Sequence, residues 1–119
     1  MNTLKMSIKQ GELYWINFSP STGSELKGRH PALIIQSTHI NQTAIGTTVA
    51  VGISSNLKLK DIPGNVFLKK GEGALPKDSV ANVSQFYTIS KSRLGKKIGL
   101  LPSQYLGKIF EGIDMLFGR

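Results

Sequence analysis

Short apolar runs recur about every ten residues from Gly11 to Leu101, each closed by Gly, Pro, Asn or Ser, and this spacing suits short strands joined by tight turns. GELYWINF (11–18) is β-branched and aromatic and lies between Gly11 and Pro20, which reads as a strand. ALIIQS (32–37) suits a central strand covered on both faces. GTTVAVGIS (46–54) reads as another, with Gly52 marking a bulge or a close backbone approach. NVFL (65–68), SVANV (79–83), QFYTIS (85–90) and KKIGLL (96–101) follow as short strands. Between them, 19–30 reads as a polar loop, THINQT as a turn, 55–63 as a basic loop and KKGEG as a turn.

The periodicity changes after Pro102. Tyr105, Leu106, Ile109, Phe110, Ile113, Leu116 and Phe117 recur at helical spacing. Ser103 is placed to cap such a helix and Gly118 to stop it. The expected fold is mainly β: a small antiparallel β-barrel over 10–101 with a C-terminal α-helix over 102–117. At 119 residues the chain suits one domain.

Charge narrows the function. Fifteen Lys+Arg against seven Asp+Glu give +8 and a pI near 9.9. Residues 1–60 hold six basic and two acidic side chains, and 61–119 hold nine and five, so the excess is not confined to a tail. Such a compact basic domain points to a polyanion, nucleic acid first; the plainer reading is a charge that only aids solubility. With no cysteine, disulfide scaffolds, thiol catalysis and thiolate zinc sites are excluded. Two histidines without His-x-x-x-His spacing, and no Asp-x-Asp cluster, give no expectation of a metal. GEGALPKDS (71–79) lacks the Gly-Lys-Ser/Thr ending of a phosphate-binding loop, so no cofactor is expected. The longest apolar run is four residues, Ala32 to Ile35, and MNTLKMSIKQ has no apolar leader; the expectation is a cytoplasmic protein with no membrane partner.

GELYWINFSPSTGSELKGRHPALIIQ (11–36) resembles the opening of the MazF/PemK family of toxin endoribonucleases. That family has a Gly-Glu/Asp strand, a proline, a Gly-x-Glu-x-x-Gly loop, then Arg-Pro and a strand of the Ala-Leu-Val-Ile type. Gly11, Glu12, Pro20, Gly23, Glu25, Gly28 and Pro31 fall on those positions. TTVAVGISS (47–55), DIPGNVFL (61–68) and DSVANVSQFYTISKSRL (78–94) continue the likeness. The resemblance implies an SH3-like barrel, a homodimer, and a labile antitoxin as partner. It also implies metal-independent, sequence-specific cleavage of single-stranded RNA, leaving a 2′,3′-cyclic phosphate and a 5′-hydroxyl.

In the family an arginine precedes the proline. Here that residue is His30, and Arg29 stands one place earlier. In extended chain a shift of one residue reverses the side-chain direction. Either Arg29 and His30 divide the work, arginine binding phosphate and histidine serving as base or acid, or the site binds without cutting. The second case would give a non-catalytic toxin, akin to the gyrase-poisoning relatives of this fold, or a plain RNA-binding module. By resemblance Ser54 is the hydroxyl residue of the catalytic set Arg29, His30 and Ser54, with Ser55 as its neighbour and substitute. Glu25 and Lys27 in the loop, Lys58 and Lys60 beyond the third strand, and Gln85 are the further RNA-binding candidates; the competing readings are loop geometry, a solvated face and a strand bridge. Phe67, Phe86 and Tyr87, interleaved with the basic residues, are candidates to stack on unpaired bases; the competing reading is core packing, expected for most of the aromatics.

Overall fold

The computed structural model describes residues 7–18 and 28–119. Six strands form one sheet: β1 (Glu12–Phe18), β2 (Gly28–Ile34), β3 (Thr47–Ser54), β4 (Val66–Leu68), β5 (Ser79–Ser90) and β6 (Lys97–Leu100). Their order is β4-β5-β3-β2-β1-β6, every pairing is antiparallel, and the sheet curls into an SH3-like half-barrel. A one-turn helix α1 (Thr38–Asn41) links β2 to β3, and helix α2 (Ser103–Leu116) ends the chain.

The sheet is buried on both sides. Along β2 and β3 successive side chains alternate between two clusters. Leu13, Leu33, Val51 and Ile53 meet Ile109 and Ile113 of α2 on one face. Ile16, Phe18, Ala32, Ile34 and Ala50 gather on the other with Ile8 and Ile89. This double covering is why the middle of the chain carries uninterrupted apolar runs rather than alternating ones.

Several boundaries differ from the expectation. β2 begins at Gly28, not at residue 32, because Gly28, Arg29 and His30 pair with Phe18, Asn17 and Ile16 of β1. It ends at Ile34, where the chain turns into α1; the Ser37 hydroxyl accepts the Ile40 N–H and starts that helix where a turn was expected. The basic loop contains a 3-10 turn, Leu57–Asp61, capped by the Asn56 side chain. SVANV and QFYTIS are one strand. The break between them is a bulge: Val51 and Gly52 are adjacent on β3, but their partners on β5 are Phe86 and Asn82. The extra residues bend β5 so that one strand serves both halves of the barrel.

Helix α2 runs from Ser103, with Pro102 at its cap and no side-chain capping bond. Ser103 is therefore a first-turn residue and not the cap. Proline before the first turn lacks an N–H but supplies the carbonyl, which accepts from Tyr105 and Leu106. Ile109, Gly112 and Ile113 are buried, whereas Leu116 and Phe117, read as part of the apolar stripe, lie exposed beyond the core. Phe117 instead packs edge-on against Phe86, centroids 5.6 Å apart. A Cβ at Gly112 would collide with the carbonyl oxygen of Gly64, so the helix rests directly on the backbone of the turn before β4.

Candidate active site

The β1–β2 pair builds the site. Asn17 lies opposite Arg29 and Trp15 opposite Pro31. Odd-numbered β1 residues face the α2-side core, led by Leu13, so Trp15 and Arg29 share that face at the open end of the barrel. The Arg29 guanidinium carbon stands 4.1 Å from the centroid of the Trp15 ring. The β2–β3 ladder starts at Ala32, one residue beyond Pro31, so the missing proline N–H breaks no rung of that ladder. Past this point the two strands part and leave a cleft of about 210 Å³.

Trp15, Arg29, His30 and Pro31 of β1 and β2, Ile53 and Ser55 at the end of β3, and Pro76, Lys77 and Ser79 at the start of β5 line the cleft. Two cations face it and, among the described residues, no carboxylate does. The cleft suits a small anionic group beside a flat aromatic surface.

The rigid foundation lies at the other end of β1. Glu12 is buried, and its carboxylate accepts from the Lys97 ammonium (2.8 Å), the Lys9 N–H (2.8 Å) and the Tyr14 hydroxyl (2.9 Å). Burial pushes the Glu12 carboxyl up, but these donors and the Lys97 charge outweigh it and hold the group below its ordinary value. Burial, then the bond to the Glu12 carboxylate, pushes the Tyr14 phenol strongly up. On the far side of β3, Lys91 is also buried, donating to the Asn41 carbonyl at 2.7 Å. Neither group lines the cleft.

Residues 9–117 match the model of a family described as the PemK-like, MazF-like toxin of type II toxin–antitoxin systems. The chain belongs to this family. It is 37% identical over 108 residues to the endoribonuclease MazF2 of Mycobacterium bovis, covering 91% of this chain and 95% of that protein. A crystal structure of MazF from Deinococcus radiodurans superposes with a TM-score of 0.77 at 25% identity, covering 95% of this chain and 98% of that one. The MazE–MazF complex of the same organism superposes at 0.72, also at 25% identity, covering 94% and 96%.

On this MazF-like frame the expected site residues separate. Arg29 and His30 both border the cleft, but their side chains leave opposite faces of β2. The His30 ring lies 6.3 Å from that of Phe18, which belongs to the second core cluster. Ser54 is buried, and its hydroxyl accepts the Asn56 N–H at 3.0 Å in a local turn. Ser55 lines the cleft two residues after Ile53 and on the same side. Lys58 and Lys60 are exposed on the 3-10 turn that follows and do not border the cleft. Gln85 sits at the bulge of β5, accepting from Tyr87, and is likewise outside it. Glu25 and Lys27 lie outside the described residues.

Sequence reasoning missed Trp15, Pro76, Lys77 and Ser79. Trp15 was within reach, since strand alternation from Leu13 places it on the Arg29 face. Pro76, Lys77 and Ser79 were not, because only the fold brings the start of β5 to this cleft. A larger groove of about 660 Å³ between β4 and α2, bordered by Phe67, Lys69, Tyr105 and Lys108, contains none of the expected site residues.

Proposed function

We propose that this chain is the toxin of a type II toxin–antitoxin pair and cuts single-stranded RNA, sequence-specifically and without a metal, at the Trp15–Arg29–Ser55 cleft. The observation that carries the reading is a basic cleft that Arg29, stacked on Trp15, shares with the Ser55 hydroxyl, in a chain of this family. Arg29 contacts the scissile phosphate through its guanidinium edge. The Ser55 hydroxyl donates to a phosphate oxygen, a role supported over Ser54 by its position on the cleft. His30, on the rim, exchanges the protons of the 2′-hydroxyl and the leaving 5′-oxygen, giving a 2′,3′-cyclic phosphate and a 5′-hydroxyl. Lys77, also lining the cleft, adds charge for the flanking backbone.

The working unit is a homodimer, and an antitoxin covering the cleft silences it; the family description and the relative solved as a MazE–MazF complex support this partner. Among the described residues no helix is long and apolar enough to cross a membrane, and the site of action is the cytoplasm. Incubating the purified protein with a long single-stranded RNA in EDTA, and mapping the new 5′ ends, tests the reading. Cuts at a recurring short motif, lost in the Arg29/His30/Ser55→Ala variant, support it. RNA left intact by the native chain overturns it.

A further inference from the structure

We infer that Trp15 is a positioning residue for the reaction: its indole is the platform that fixes the Arg29 guanidinium in the cleft. The inference rests on the reading of Arg29 as the phosphate-contacting group. Arginine reaches a strand end on four rotatable bonds, so by itself its charge would sample a wide volume. Here the guanidinium carbon lies 4.1 Å from the Trp15 centroid, within cation–π distance. Trp15 and Arg29 are diagonal neighbours across β1 and β2, which long side chains bridge readily.

Stacking and phosphate binding use different parts of the guanidinium. The ring takes its face, while the N–H donors point outward in its plane and stay available for phosphate. A carboxylate holding Arg29 would instead occupy those donors. Among the described residues no carboxylate borders the cleft, so the aromatic face orients the arginine without competing with the substrate.

The platform is itself braced. The Trp15 N–H donates to the Lys96 carbonyl at 3.0 Å, and its carbonyl accepts the Gly95 N–H at 2.7 Å. A Cβ at Gly95 would stand 2.7 Å from that carbonyl oxygen, so only glycine lets the 95–96 segment approach so closely. Two residues along β1, the Asn17 carbonyl accepts from Arg93 at 3.0 Å. The approach to β6 therefore clamps the strand that carries the indole.

Trp15 is the single tryptophan of the chain, so its fluorescence reports the stack directly. The test compares Trp15→Phe, Trp15→Leu, Arg29→Lys and the Trp15/Arg29 double variants on an RNA oligonucleotide carrying the mapped cut site. In Trp15→Leu, kcat is expected to fall about tenfold, within the range of a desolvated cation–π contact, with a smaller change in KM. Trp15→Phe, which keeps an aromatic face, recovers most of the rate. In the Arg29→Lys background the Trp15→Leu loss shrinks, because the two residues act as a unit. Without RNA, Arg29→Ala shifts the Trp15 emission.

If the native chain cuts and Trp15→Leu keeps pace, or loses the same factor in the Arg29→Lys background, the inference is overturned alone. If Trp15→Leu does not fold, the emission decides instead: a Trp15 spectrum unchanged by Arg29→Ala overturns the inference. If the native chain leaves RNA intact, the parent reading falls and this one with it.

Discussion

Arg29 and His30, adjacent in the chain, leave β2 on opposite faces: the guanidinium lies 4.1 Å over the Trp15 ring, and the imidazole lies 6.3 Å from that of Phe18. Both border one cleft only because it sits where β2 parts from β3, so the strand end is open from either side. Adjacent residues of an extended strand point to opposite faces, so Arg29 takes the Trp15 side and His30 the Phe18 side.

Arg29→Ala is expected to lower RNA cleavage by about a hundredfold or more, the order found when one donor to a developing negative charge is removed. Arg29→Lys keeps the charge but loses the planar donor pair and should recover only part of the rate. Single-turnover cleavage of the mapped oligonucleotide measures both. An Arg29→Ala protein as fast as the native chain removes Arg29 from the chemistry.

His30→Gln separates proton transfer from packing. The variant is expected to cut RNA about a hundredfold more slowly, within the range of a lost general acid–base group, with its melting temperature little changed. A His30→Gln protein as fast as the native chain takes His30 out of the acid–base role and leaves it packed beside Phe18.

The two serines should respond differently. Ser55→Ala removes a hydroxyl from the cleft and is expected to slow cleavage about tenfold with the melting temperature unchanged. Ser54→Ala deletes the acceptor of the Asn56 N–H and should cost about 1 kcal/mol of stability. Thermal melts and cleavage rates on the same samples decide between them, and the reverse pattern would return the role to Ser54.

Glu12→Ala leaves the Tyr14 hydroxyl and the Lys9 N–H without their acceptor and should cost about 2 kcal/mol at neutral pH. The folded-state Glu12 carboxyl lies below its ordinary value of 4.5, so its contribution is present above that pH and is lost as pH falls through the folded value. Urea midpoints of the two proteins are therefore expected to differ at pH 7 and to converge below about pH 4.5. A constant difference at all pH values would mean that the carboxylate charge contributes nothing.

Gly112→Ala puts a methyl group against the Gly64 carbonyl. Better helix propensity would favour the variant by about 1 kcal/mol. Forcing α2 off the turn should cost about 1–3 kcal/mol, so net destabilisation or near balance is expected, and never a gain as large as propensity alone would give. Thermal unfolding of Gly112→Ala beside Gly107→Ala, where a Cβ meets nothing within 4 Å, isolates the contact.

The strand positions, the terminal helix and the family were legible in the sequence. Local spacing carries that information: ALII needs cover on both faces, and the stripe from Tyr105 to Ile113 needs a sheet beneath it. The stripe said nothing of where the core ends, so Leu116 and Phe117 were assigned to it although they overhang. The Ser84 region was read as a gap because a bulge and a turn use the same polar residues; pairing with β3 makes it a bend in one strand.

The sequence by itself determined a basic β-barrel with a closing helix and set Arg29 two residues before Pro31, because periodicity, turn residues and charge are properties of neighbours along the chain. Only the tertiary structure decided that Ser55 and not Ser54 borders the cleft with Arg29, that Trp15 underlies the arginine, and that Pro76, Lys77 and Ser79 complete the cleft. Those relations depend on register between β1, β2 and β3, where one residue exchanges one face for the other. They depend equally on a return of the chain about fifty residues later to the same strand end, which no local pattern encodes.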